Sequence, residues 1–184
     1  MKIMIDAGHG PETAGKRSPD GLLREFSFNS AVANLVQQYL VEEGLNVFFA
    51  HNEQQDVSLA ERTNFANRMK VDAFISIHAN AYGTDWNQAN GIETYVYPTA
   101  SKESTALASL VQHSLITACN RTNRGVKKAN FAVLRETKMP AILIECGFMT
   151  NRQEAALLLQ KVYRQQCAKA ISFAVTAWAY RGKM

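Results

Sequence analysis

Short apolar runs and helix-period segments take turns along almost the whole chain, and nothing else in it restricts the fold as much. Apolar runs at 2–6, 46–50, 72–77, 131–134 and 141–144 read as strands, and Ile92, Thr94 and Val96 alternate with polar neighbours in another that ends at Pro98. Between them, Phe28, Val32, Leu35, Val36 and Leu40 recur at helical spacing with Gly44 suited to the helix end. Ser58 and Glu61 have the spacing of a capping box for a helix running to about Met69. A longer helix is predicted over 102–121, and a final one, preceded by a cap-like signal at Asn151, carries Tyr163, Cys167, Ile171 and Trp178 on one stripe. Alternation of this kind predicts an α/β fold: a single domain over 1–184, with a twisted, mostly parallel but mixed sheet of about six strands and helices on both faces. The strand at 92–97 follows its predecessor through a polar loop with no helix for a crossover, so it is the one expected to run antiparallel.

Three of the apolar runs lead into residues that bind metal or move protons. They continue as Asp6-Ala7-Gly8-His9-Gly10, as His78-Ala79-Asn80 and as Glu145-Cys146-Gly147. Ligands bind beyond the carboxyl ends of parallel strands, so this pattern delivers two imidazoles and a carboxylate to one sheet edge. Two histidines and a glutamate, with one coordination position left open, form a common catalytic zinc set. Glu25, after a loop rich in Gly, Pro and Ser and just before the first long helix, is the best source of the missing ligand. Each residue alone has a plainer reading: a surface or hydrogen-bonding role for His9 or His78, and a solvated helix-start charge for Glu25. Glu145 follows a buried run directly, so it must be hydrogen-bonded, paired or exposed in a cleft. His51 and His113 are expected at the surface, and Cys146 is expected to pack, pointing away from Glu145.

Composition narrows the partners. A 47% hydrophobic content over 184 residues suits a globular core, and no stretch approaches the ~20 apolar residues of a membrane span. The first residues read as strand, so no export signal is visible in the chain. The formal charge of +4 favours anionic surfaces, but the basic stretch Arg121, Arg124, Lys127 and Lys128 has no interleaved aromatics and does not suggest nucleic acid. It reads as a solvated face or as a site of attraction for an acidic polymer. Cys119, Cys146 and Cys167 are odd in number and lack Cys-x-x-Cys spacing, which predicts free, mostly buried thiols. A metal-free glycosidase pairing Glu145 with Glu93 or Glu25 leaves both histidines unexplained. A binding module without catalysis needs neither a metal site nor a proton carrier.

Together, Asp6-Ala7-Gly8-His9-Gly10, Glu25, Phe74-Ile75-Ser76-Ile77-His78-Ala79-Asn80, Gly91-Ile92-Glu93-Thr94, Arg124-Gly125-Val126-Lys127 and Glu145-Cys146-Gly147-Phe148-Met149-Thr150-Asn151 resemble the zinc-dependent N-acetylmuramoyl-L-alanine amidases of the amidase type 3 family. Position 7 is Ala where that family often has Pro, a change expected to affect loop stiffness more than ligation. The resemblance implies that His9, Glu25 and His78 hold zinc and that Glu145 is the catalytic carboxylate. It implies hydrolysis, at the bacterial cell wall, of the amide joining the lactyl group of N-acetylmuramic acid to L-alanine in peptidoglycan. Asn80 and Arg124 are candidate substrate contacts, acidic wall polymers are possible partners alongside peptidoglycan, and a monomer is expected.

Overall fold

The computed structural model describes residues 1–181. Its elements are β1 (Lys2–Ala7), α1 (Glu25–Glu42), β2 (Asn46–Phe49), α2 (Leu59–Met69), β3 (Ala73–Asn80), β4 (Ile92–Val96), α3 (Lys102–Cys119), β5 (Asn123–Lys128), α4 (Ala132–Arg135), β6 (Ala141–Phe148), α5 (Arg152–Leu159) and α6 (Lys161–Tyr180). The strands form one sheet in the order β2-β1-β3-β6-β4-β5. Strands β2, β1, β3 and β6 are mutually parallel, and β4 runs antiparallel to β6, as the helix-free loop before it required.

One strand assignment is corrected. The run at 131–134 is not a strand: Phe131 caps the short helix α4, whose Val133 and Leu134 bury against the sheet. A four-residue apolar run has no period long enough to separate strand from helix. The sixth strand is instead β5, which pairs parallel to β4. Its sequence, Asn-Arg-Gly-Val-Lys-Lys, is mostly exposed and has no apolar alternation to reveal it. Cationic side chains on an edge strand also discourage pairing with another chain.

Successive side chains of a strand point to opposite faces, and the two faces here differ. Ile3, Ile5, Ile75, Ile77, Ile142 and Ile144 face a large core completed by Phe28, Val32, Leu107, Val111, Ile171 and Val175 from α1, α3 and α6. Each such side chain, fully buried, contributes about 1.5–3 kcal/mol of hydrophobic stabilisation. Met4, Phe74 and Leu143 face a smaller cluster with Ala66 of α2 and with Val133 and Leu134 of α4. By the same alternation Asp6, Ser76, His78 and Glu145 continue this thinner face toward the carboxyl ends of the parallel strands. Cys146 falls on the opposite, larger core and is fully buried there, as expected.

Strands β3 and β6 extend past their expected ends, to Asn80 and Phe148. Their register is regular through His78 and Glu145 and then shifts, so that Asn80 pairs with Phe148 and β6 holds one extra residue. Gly147, at φ 145°, takes up the kink. The capping box at Ser58 forms as read, with Ser58 Oγ accepting from the Glu61 amide and Glu61 accepting from the Ser58 amide. Among the described residues no helix is long and apolar enough to cross a membrane.

Candidate functional site

At the carboxyl edge of β1 and β3, the chain brings His9, Glu25 and His78 together. One ligand atom from each lies within 4.8 Å of the others. Glu25 Oε2 is 3.2 Å from His9 Nε2, Glu25 Oε1 is 2.9 Å from His78 Nδ1, and the imidazole rings stand edge to face with centroids 5.2 Å apart. Glu25 is the first residue of α1, where unpaired amides and the helix dipole favour a negative charge. Its carboxylate also accepts from the Ala79 amide at 3.3 Å and from Asn29 Nδ2 at 3.4 Å. Burial alone would raise its pKa, but the bonds to His78 and His9 outweigh that and hold it at about 2.

The close approach depends on local backbone. A side chain at Gly8 would overlap the His78 imidazole, so this position has no room for a Cβ. His9 itself has φ 65°, which turns the chain sharply after β1. Asn29 Nδ2 donates to the Gly8 carbonyl at 3.0 Å and ties this turn to α1.

A buried polar chain braces the His9 backbone and the His78 imidazole from behind. Arg62, on α2, donates to Asp6 Oδ1 and to the Ala7 carbonyl, each at 2.6 Å, to the Val57 carbonyl at 3.0 Å, and to the His9 carbonyl. Ser76 Oγ donates to Asp6 Oδ2 at 2.6 Å and lies 3.1 Å from His78 Nε2. Ser76 thus braces Nε2 of the ring whose Nδ1 faces Glu25 Oε1 at 2.9 Å. Sequence reasoning missed Arg62 and Ser76. The available signal was that Arg62, Phe65, Ala66 and Met69 share one helical stripe, which places a cation where an apolar residue is expected.

Glu145 stands beside His78 in register across β3 and β6. Its Oε2 is buried with no hydrogen-bond partner. Burial first, and then the charges of Glu25 and Glu93, push its carboxyl well above the usual glutamate range, against a smaller opposing pull from Lys16. Glu93, opposite Glu145 across β4 and β6, behaves differently. It accepts from Asn80 Nδ2 and Tyr95 Oη at 2.7 Å, from Arg124 Nε at 2.6 Å, and from Lys127. Burial raises its pKa, but the Lys127, Arg124 and Tyr95 donors prevail and keep it below the ordinary value.

Several expectations can now be placed. Asn80 borders the site and is held by Glu93, while Arg124 is paired with Glu93 and lies over the Phe148 ring, 4.9 Å from its centroid. His51 is not a surface residue. It is buried against Phe49, and its Nδ1 accepts from the Ala7 amide at 3.0 Å. Burial lowers its pKa and keeps it a neutral acceptor, so it serves the turn after β1. His113 is exposed. The three cysteines are free, and Cys119 and Cys167 lie with their sulfurs 3.8 Å apart.

Two clefts open at this edge, of about 660 and 650 Å³, and both are lined by His9, His78 and Glu145. The donor set fits a divalent metal: two imidazole nitrogens and one carboxylate oxygen converge, with an unpartnered carboxylate oxygen beside them.

The family model described as N-acetylmuramoyl-L-alanine amidase matches residues 3–177. An N-acetylmuramoyl-L-alanine amidase of Bacillus licheniformis is 36% identical over 173 residues, covering 92% of this chain and 65% of that protein. The sporulation-specific N-acetylmuramoyl-L-alanine amidase of Bacillus subtilis is 35% identical, with 92% of this chain and 64% of the relative covered. The chain thus spans slightly under two thirds of the length of these relatives. Among solved structures, an N-acetylmuramoyl-L-alanine amidase from Clostridium difficile superposes with a TM-score of 0.93 at 33% identity, covering 98% of this chain and 97% of that one. The amidase of Nostoc punctiforme gives 0.89 at 33% identity, with 98% of each chain covered.

Proposed function

The chain belongs to the N-acetylmuramoyl-L-alanine amidase family, and on that premise we propose that residues 1–184 act as one catalytic unit that hydrolyses the amide between the lactyl group of N-acetylmuramic acid and L-alanine in peptidoglycan. The observation that carries the reading is the convergence of His9, Glu25 and His78 beside the unpartnered carboxylate of Glu145. His9, Glu25 and His78 hold zinc, which when bound supplies Lewis acidity toward water and a substrate carbonyl. Glu145 is not a ligand. Its raised affinity for protons suits a group that takes one from the attacking water and returns it to the amide nitrogen as the C–N bond breaks. The products are then a free lactyl carboxylate on the sugar and a free amino terminus on L-alanine. Asn80, fixed by Glu93, sits on the cleft wall where a stem amide can be hydrogen-bonded. The place of action is the bacterial cell wall.

Mass analysis of digested peptidoglycan tests this. New amino termini on L-alanine, abolished by a chelator and restored by zinc, are the expected result. New reducing sugar ends would identify a glycosidase instead.

A further inference from the structure

The scissile amide has two unlike arms, and the site has two unlike clefts. One cleft is walled by the 14–19 loop and by residues 79–84. The other lies between α2 and α4, with apolar walls from Val57, Leu59, Phe131 and Val133. Leu59 and Phe131 are 54% and 38% exposed, so among the described residues the apolar rim of this groove is open to solvent.

The first cleft carries cations with no structural employment. Four other basic side chains near the site are already paired: Arg62 with Asp6, Arg124 and Lys127 with Glu93, and Arg121 with Glu154. Among the described residues Lys16 and Arg17 form no ion pair, and both line the first cleft. Their position is nevertheless fixed. The Glu25 amide donates to the Lys16 carbonyl at 2.9 Å, Arg17 bridges Arg24 in antiparallel fashion, and the Ser18 amide donates to the carbonyl of buried Leu23 at 2.8 Å. The ribbon that delivers Glu25 to the site therefore also sets two free cations beside it. Lys16 stands where the clefts meet, and its charge is felt at Glu145.

We infer that Lys16 and Arg17 receive a carboxylate of the peptide stem, so that the stem occupies the polar cleft and the sugar lies in the apolar cleft against Phe131 and Leu59. The inference rests on the amidase reading above. A free carboxylate on the residue after L-alanine is an anion one residue from the scissile bond, and a paired ammonium and guanidinium are its natural partners. A pyranose ring is neutral and offers apolar C–H faces, which suit an aromatic wall better than a cationic rim. Arg124 and Lys127, by contrast, already share the Glu93 carboxylate.

The test compares soluble muropeptides that differ only in whether the residue after L-alanine carries a free carboxylate or its carboxamide, assayed with the zinc-loaded full chain at low salt. The wild type is expected to favour the acid in kcat/KM by about tenfold, the size of one charge-assisted contact at a partly exposed site. Lys16→Gln with Arg17→Gln should bring that ratio toward one, and Lys16→Arg with Arg17→Lys should retain it. Phe131→Ala should raise KM several-fold for substrates with longer glycans and leave the acid-to-amide ratio as it was. A wild-type ratio near one, or a double Gln variant that keeps the preference, overturns the inference. So does a Phe131→Ala variant that loses the preference while glycan length has no effect. If neither muropeptide yields free L-alanine amino termini, the amidase reading itself has failed.

Discussion

Arg62→Met is the most demanding test of how the site is held. The side chain of Arg62 is 2% exposed and that of Asp6 1%, so both charges are out of water and each depends on the other. Replacing Arg62 leaves Asp6 with only the Ser76 hydroxyl and strips a donor from the carbonyls of Ala7, Val57 and His9. Breaking a buried ion pair from one side costs about 3–5 kcal/mol, a large part of the ~5–15 kcal/mol that holds a typical domain together. Arg62→Lys keeps the charge near Asp6 but cannot reach all these acceptors, so it should cost about half as much. Adding Asp6→Asn to Arg62→Met should cost far less than the sum of the single changes, since it removes the stranded charge. Urea unfolding of chelator-stripped protein gives these values without a contribution from bound metal. Because Arg62 also anchors the His9 carbonyl, metal affinity should fall by about 10–100-fold. A loss of stability under ~1 kcal/mol with an unaltered urea slope would show that the Asp6 charge is compensated some other way and refute the reasoning.

Other variants separate the remaining roles. Glu145→Gln should lower kcat by about 10²–10⁴-fold while zinc content stays at wild-type level, measured by turnover and by metal analysis of the same sample. His78→Ala should lose metal and turnover together, and full zinc occupancy in that variant would remove His78 from the ligand set. The Glu93 carboxyl is held below its unfolded value, so its contribution to stability is present above that value and is lost as pH falls through the folded one. Thermal melts should therefore show Glu93→Gln clearly less stable than wild type at pH 7 and nearly equal to it in strong acid; a gap independent of pH would contradict this.

What could be read from the sequence was what has a period or a fixed neighbour. The strands that carry His78 and Glu145 are apolar runs long enough to identify, and the capping box at Ser58 is a local bond between residues three apart. Strand β5 was illegible because an edge strand buries little and its residues, Arg124 and Lys127 among them, answer to Glu93 on β4 and not to a hydrophobic pattern. Arg62 and Ser76 were illegible for a related reason. Arg62 meets Asp6 and His9 because α2 folds over β1, and Ser76 meets Asp6 because β1 and β3 pair in that register; no spacing within either element names the partner. His51 was misread because a histidine after a strand looks exposed until the turn at Ala7 closes over it.

The antiparallel turn of β4 has a chemical consequence of its own. Residues directly opposite in an antiparallel pair share a face, so the reversal sets Glu93 against Glu145 at the edge where the parallel strands end. Two neighbouring carboxylates cannot both ionise cheaply, and the fold resolves this by surroundings. Four donors go to Glu93: Asn80, Tyr95, Arg124 and Lys127. Glu145 receives none at Oε2. One glutamate is thereby held as an anion near neutral pH and the other is left without such donors, so that two like groups differ in how readily they take up a proton. The same division counts against a carboxylate-pair glycosidase, because an acid and a base must both be free to titrate, and Glu93 is held in place by two cations. Under the proposed amidase reaction, proton transfer would therefore fall to Glu145 alone of the two, next to His78.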